Sequence, residues 1–176
     1  MDEKPQRRKR KGPIPAEGPE DVYGYAVILL GRFGDYSEKD LRERMKRKTD
    51  NQDWIDLSMA KLIEHGYQSD ARCAEGIVRK GMGSKAWGRS RIEQEMRRKG
   101  LTTETIEEAL TLLAEDDPLE RAKDALDRKF RDRVIEDQKD KAKATRFLAT
   151  RGFGFGSISA AIEAHNREVV EFQDSE

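Results

Sequence analysis

Residues 97–110, RRKGLTTETIEEAL, and residues 149–162, ATRGFGFGSISAAI, decide how this chain folds. Alone, the second contains a glycine run that looks like a phosphate-cradling loop. Such a loop follows a strand and opens a helix, yet the preceding KDKAKATRF reads as helix. Laid over each other, the two stretches are one pattern: Gly100 falls on Gly152, Leu101 on Phe153, Ile106 on Ile158, Ala109 on Ala161 and Leu110 on Ile162. A helix ends on a basic side chain, glycine takes the left-handed position just past it, and an apolar residue follows. Thr102 or Thr103, or Ser157, then caps the next helix. A nucleotide loop has no reason to recur with GLTTET in its place, so both stretches read as helix-to-helix joints.

The pattern extends outward. Leu41 falls on Ile92, and Ile92 on Ala144; Met45 falls on Met96, and Met96 on Leu148. Ile55, Met59 and Leu62 fall on Ile106, Leu110 and Leu113. No segment has the alternation of a strand. An apolar period near 50 residues in such a chain indicates tandem units of two or three helices. The expected fold class is all-α, with helical repeats at 21–70, 71–117 and 118–168. Helices are predicted near 22–32, 38–48 and 52–65, then 71–82, 86–99 and 103–115. Asp21 is the expected first cap, and Ser37 with Asp40 forms an approximate capping box. Ile55, Met59, Leu62 and Ile63 form the third helix's apolar stripe. Pro118 opens the third repeat after Asp117, in a long charged helix, PLERAKDALDRKFRDRVIED, with core face Leu119, Ala122, Leu126 and Phe130. Residues 1–20 read as a disordered basic arm and 169–176 as an acidic tail.

Composition agrees with small cores in series. Of 176 residues, 35% are hydrophobic and 40% charged, too few apolar side chains for one large core, so an elongated arrangement is expected. No apolar run approaches the roughly 20 residues of a membrane span, and the basic N-terminus lacks the apolar stretch of a secretory signal. A single cysteine, Cys73, allows no internal disulfide, which suits a reducing cytoplasm. The net charge is zero, yet basic and acidic blocks alternate: residues 71–100 are mostly basic among their charges, and residues 101–120 carry no basic side chain. That alternation fits a partner that is part polyanion and part protein.

The candidate binding residues are Arg72, Arg79, Lys80, Lys85, Arg89, Arg91, Arg97, Arg98 and Lys99 of the second repeat, with Arg151 of the third. Cations at a helix C-terminus are favoured by the macrodipole, which accounts for part of the Arg97, Arg98 and Lys99 group. The rest suits phosphates or acidic protein patches. Arg128, Lys129 and their neighbours alternate with acids at helical spacing and read as intrahelical ion pairs. Arg151 matches Lys99 and Lys48, a candidate repeated basic row. Trp54 and Trp87 read as packing residues, with base stacking a second reading for Trp87 beside the basic cluster. His65 and His165 have no ligand-spaced neighbours, and Ser37, Ser90 and Ser157 read as caps or surface residues. Neither a metal site, a cofactor nor an enzyme activity is expected.

SEKDLRERMKRK, GYQSDARCA, WGRSRIEQEMRRKGL with IEEAL after it, and ATRGFGFGSISAAI together resemble the RecX family of bacterial regulatory proteins. The resemblance covers roughly residues 22–165. Its most specific part is Gly88 with Ile92 four residues on, then the basic RRKG end. The resemblance implies three tandem three-helix repeats in an elongated, curved array. It also implies binding to the RecA recombinase and its nucleoprotein filament, with restraint of ATP hydrolysis, strand exchange and the coprotease activity behind the SOS response. Single-stranded DNA is a second candidate partner, and a monomer is expected. The alternative is a stand-alone helical DNA-binding protein with no obligate recombinase partner.

Overall fold

Buried positions follow the sequence period. The computed structural model describes residues 14–114, 116–131 and 133–174. Among these, the elements are α1 (Pro19–Phe33), α2 (Glu38–Met45), α3 (Gln52–Glu64), α4 (Asp70–Met82), α5 (Arg89–Arg98), α6 (Thr103–Leu110), a 3₁₀ turn (Thr111–Leu113), α7 (Pro118–Phe130), α8 (Gln138–Ala149) and α9 (Phe155–Gln173), with no strand. The architecture is an all-α helical repeat. The chain divides into two compact units, one ending at Ser69 and one starting at Asp70.

In the first unit α1 packs across α3 and against α2, around Val22, Ala26, Leu41, Met45, Ile55, Met59 and Leu62. Ser37 caps α2, its Oγ accepting the Asp40 N–H at 3.2 Å. Asn51 caps α3 through the Trp54 N–H. Two expectations change here. α1 starts at Pro19 with Gly18 at the cap position, and Asp21 instead accepts the Glu17 N–H from inside the first turn. Proline is suited to the first turn because its missing donor is not needed there. Ile63 is 49% exposed rather than part of the stripe, because Leu62 already occupies the inward position.

The second unit holds two cores. Ala74, Val78, Ile92, Met96, Leu101, Ile106 and Leu110 fill one. Ala122, Leu126, Phe130, Ile135, Leu148, Phe153 and Ile158 belong to the other. The repeat register is a packing register. Leu41, Ile92 and Ala144 are fully buried, as are Met45, Met96 and Leu148, while Ile55, Ile106 and Ile158 are at most 3% exposed.

The two glycine joints are the same turn. The Gly100 N–H donates to the Arg97 carbonyl at 2.9 Å and the Leu101 N–H to that of Met96 at 3.3 Å. The Gly152 N–H donates to the Ala149 carbonyl at 2.9 Å and the Phe153 N–H to that of Leu148 at 3.2 Å. Both glycines have positive φ, 78° and 82°, as this helix ending requires. Thr102 caps α6 through the Thr105 N–H. Ser157 caps nothing: α9 begins at Phe155, with Gly154 in the cap position and no side-chain cap bond.

α7 is also shorter than expected. It ends at Phe130, and Arg131 turns the chain at φ 51°. The following segment sends Ile135 into the core, where the Asn166 side chain bonds both its N–H and its carbonyl, at 2.7 and 3.0 Å. Burying Ile135 while satisfying its backbone outweighs the added helical turns.

Candidate interaction surface

The connection from α4 to α5 sets the position of several cations. Ala86 turns at φ 46° and is buried in the third-repeat core, whereas Trp87 packs on the second. Gly88 then lies against the α8–α9 joint, its N–H donating to the Arg151 carbonyl at 2.7 Å. A Cβ on Gly88 would stand 2.3 Å from the Gly152 oxygen, and one on Gly152 would stand 2.3 Å from the Arg91 nitrogen. Two backbones therefore touch at a point where neither tolerates a side chain. This contact carries Lys85 beside Arg151, and Arg91 against Ala149, Thr150 and Gly152 at the end of α8.

The ten sequence candidates separate into groups. Arg72 lies in the first turn of α4 and Arg79 and Lys80 in its last turn. Arg89 and Arg91 open α5, Arg97 and Arg98 end it, and Lys99 is its C-cap residue. Residues seven apart share a helix flank, so Arg91 and Arg98 stand on one side of the buried Ile92–Met96 stripe. Arg97 stands on the other. Much of the charge is satisfied locally: Arg79 pairs with Glu75 at 3.1 Å, Arg97 with Glu93 at 2.8 Å and Arg98 with Glu95 at 2.6 Å. The Arg98 hydrogen bond holds the Glu95 carboxyl below its ordinary value, against partial burial. Arg91 donates to the Gln94 amide oxygen at 2.6 Å and lies 5.5 Å from the Trp87 ring centre.

Lys85 and Arg151 are the two candidates that converge on one recess, of about 230 Å³, between the α4–α5 connection, α7 and the end of α8. Two residues assigned to intrahelical pairs by their spacing also line it, Arg128 and Lys129, together with Phe147. Arg128 reaches Asp124 only at 3.9 Å. The Arg151 guanidinium stacks 3.8 Å from the Phe147 ring centre, and the Lys129 ammonium lies 4.2 Å from it. Burial pushes the Arg151 guanidinium down from its ordinary value. The signal that separates these residues from paired ones lies at the i−4 positions: Lys129 and Arg151 have Ala125 and Phe147 there, not acids.

A second polar cluster holds α9 to the segment after α7. Buried His165 faces Asp127 Oδ1 with Nδ1 at 2.6 Å and the Arg133 carbonyl with Nε2 at 3.0 Å. Lys123 bridges Glu168 and Asp127, and those two contacts raise its pKa, the Glu168 bond most. No described helix is long and apolar enough to cross a membrane.

Comparison with known proteins shows the family of the chain. The RecX second three-helix domain matches residues 69–110, and the RecX third three-helix domain matches residues 115–162. A regulatory protein RecX of Photobacterium profundum is 39% identical over 109 residues, 62% of this chain and 40% of that protein's length. Another, from Mannheimia succiniciproducens, is 37% identical over 134 residues, 75% of this chain and 86% of that protein. The crystal structure of RecX from Lactobacillus salivarius superposes with a TM-score of 0.66 at 21% identity, covering 84% of this chain and 96% of that one. With both repeat domains matched and the relatives aligned along most of its length, the chain belongs to the RecX family of regulatory proteins.

Proposed function

We propose that this chain binds the RecA recombinase and its nucleoprotein filament and restrains ATP hydrolysis, strand exchange and coprotease activity, thereby modulating DNA repair and the SOS response. Family membership carries the reading. The action is stoichiometric rather than catalytic: helical modules hold a protein and a polyanion together, which favours one filament state over another. The working form is a cytoplasmic monomer. Arg72, Arg79, Lys80, Lys85, Arg89, Arg91, Arg97, Arg98, Lys99 and Arg151 are the proposed contact residues. Among them the side chains of Lys80, Lys85, Arg89 and Arg151 have no acidic partner among the described residues.

The test is the single-strand-dependent ATPase of the recombinase, titrated with this protein. Inhibition is expected, and no change at saturation would remove the proposal. Neutralising Arg89, Arg91, Arg97 and Arg98 together should weaken filament binding and flatten its salt dependence. The cation-lined recess also suits a stand-alone DNA-binding protein. Pull-down with recombinase in the absence of DNA separates the two readings: capture favours the recombinase partner.

A further inference from the structure

We infer that the recess formed by Lys85, Arg128, Lys129, Arg151 and Phe147 is a phosphate-binding pocket that seats the backbone of a nucleic-acid strand without reading its bases. The inference deepens the proposed function and rests on it only in taking a polyanion as part of the partner. Its grounds are local.

Several cations elsewhere in the chain are neutralised within their own helix. Arg42 pairs with Glu38, Arg79 with Glu75, Arg97 with Glu93 and Lys123 with Asp127, each four residues apart. In the recess only Arg128 keeps such a partner, Asp124 at 3.9 Å. Four cations from three segments line it, no acidic side chain does, and Ala125 and Phe147 stand where pairing acids would. Like charges gathered beside an apolar wall repel one another unless an anion is supplied from outside. Arg151 is already partly desolvated there, with Phe147 rather than a carboxylate against it.

The arrangement suits phosphate better than carboxylate. A carboxylate presents two oxygens in one plane, matching one guanidinium fork. Phosphate oxygens point in several directions, and donors here come from the α4–α5 connection, from α7 and from the end of α8. The single aromatic ring is engaged by Lys129 and Arg151. It orients the cations and leaves no other ring in the recess on which a base can stack, so the contact is to the backbone and indifferent to sequence.

The experiment uses the full chain without recombinase. Binding of a labelled oligothymidylate is followed by fluorescence anisotropy across a salt series. Lys85 and Arg128 are exposed, so the variant K85E/R128E should fold, which its melting curve verifies. The charge-matched control is K139E/K141E, exposed on α8 about two turns away. The pocket variant should lower the slope of log K against log salt by roughly 0.7 for each phosphate that is no longer neutralised, and the control should not. Equal slopes in the two variants, or no binding by the wild type, would overturn the inference. Displacement by dATP as readily as by oligonucleotide would assign the pocket to free nucleotides instead of a strand. Displacement by polyglutamate but not by polyphosphate would refute phosphate as the ligand. Recombinase ATPase is read separately: wild-type protein that binds DNA through the pocket yet leaves that ATPase unchanged would sink the proposed function and spare the pocket.

Discussion

Replacing Gly88 with alanine puts a methyl carbon 2.3 Å from the Gly152 oxygen, 2.5 Å from its carbonyl carbon and 2.8 Å from the Phe153 nitrogen. All three neighbours are backbone, so no rotamer change relieves the clash. Even a tight contact needs a displacement of about 1 Å, which would break the 2.7 Å bond from the Gly88 N–H to the Arg151 carbonyl. Overpacking of this kind costs about 1–3 kcal/mol, and a buried donor left unpaired costs about 1–3 kcal/mol. The expected loss for Gly88→Ala is therefore about 2–6 kcal/mol. Gly152→Ala meets the same wall from the other side, 2.3 Å from the Arg91 nitrogen, and adds about 1–2 kcal/mol for a left-handed non-glycine residue. The double variant should cost less than the sum, because the first methyl already opens the gap that the second would fill. Gly154 and Gly156 belong to the same glycine run but have nothing within 4 Å and no positive φ. Alanine at Gly156, inside α9, should be neutral or stabilising by up to about 1 kcal/mol, and at Gly154, the cap position, it should cost no more than about 1 kcal/mol. Urea unfolding followed through Trp87, in a Trp54→Phe background that leaves one indole, reads the correct unit. A Gly88→Ala variant within about 0.5 kcal/mol of its parent, or four glycines of equal effect, would refute the backbone contact.

Arg121 is 9% exposed and pairs with Asp116 at 3.0 Å, while its Nε and Nη1 have no hydrogen-bond partner; burial lowers its pKa and Asp116 opposes that. Asp116→Ala should cost about 3–5 kcal/mol by stranding the guanidinium, and adding Arg121→Met should recover most of it in the same urea titration. Glu95 has a lowered folded pKa, so its contribution is fully present above the ordinary glutamate value near pH ~4.3 and disappears as pH falls through the lower folded value. Arg98 is largely exposed, so the effect is under about 1 kcal/mol, and Glu95→Gln should remove it from the acid limb of the stability–pH curve. His165→Phe should remove the ring contacts to Asp127 and the Arg133 carbonyl and cost about 1–3 kcal/mol, with hydrogen-exchange protection at the Ile135 amide disappearing first.

The fold was legible because repetition and burial report the same thing. Leu41, Ile92 and Ala144 could be aligned by spacing alone, and all three are fully buried. Capping chemistry placed Ser37 correctly because its hydroxyl acts within its own turn. It failed at Ser157, where the start of α9 is set by the Gly152 joint rather than by a hydroxyl. The length of α7 was illegible for a related reason. Charged helical spacing continues past Phe130, but the contacts that stop the helix, Asn166 to Ile135 and His165 to Arg133, come from about 31 residues away. The candidate surface was legible in residue type and not in grouping. Lys85 and Arg151 are far apart in sequence, and the Gly88–Gly152 contact joins their segments.

The repeat also shows why its surface could not be deduced copy by copy. Lys48, Lys99 and Arg151 occupy one register position, and a shared register suggests a row with a shared task. The positions have separate uses. Lys48 donates to the Ile14 carbonyl at 2.6 Å and lies 5.3 Å from the Tyr25 ring centre, so it anchors chain ahead of α1. Lys99 adds to the charge that lowers Glu95. Arg151 stacks on Phe147 and lends its carbonyl to Gly88. Core positions stay equivalent because each must be apolar and closed to solvent within its own packed unit. A cation past the end of a helix faces no such demand: the macrodipole favours positive charge there whatever else that charge does. The row is thus explained by helix ends alone, and any binding role has to rest on what a single copy adds. In the third repeat those additions are Arg128, Lys129 and Phe147, brought against Lys85 by a contact between two glycines.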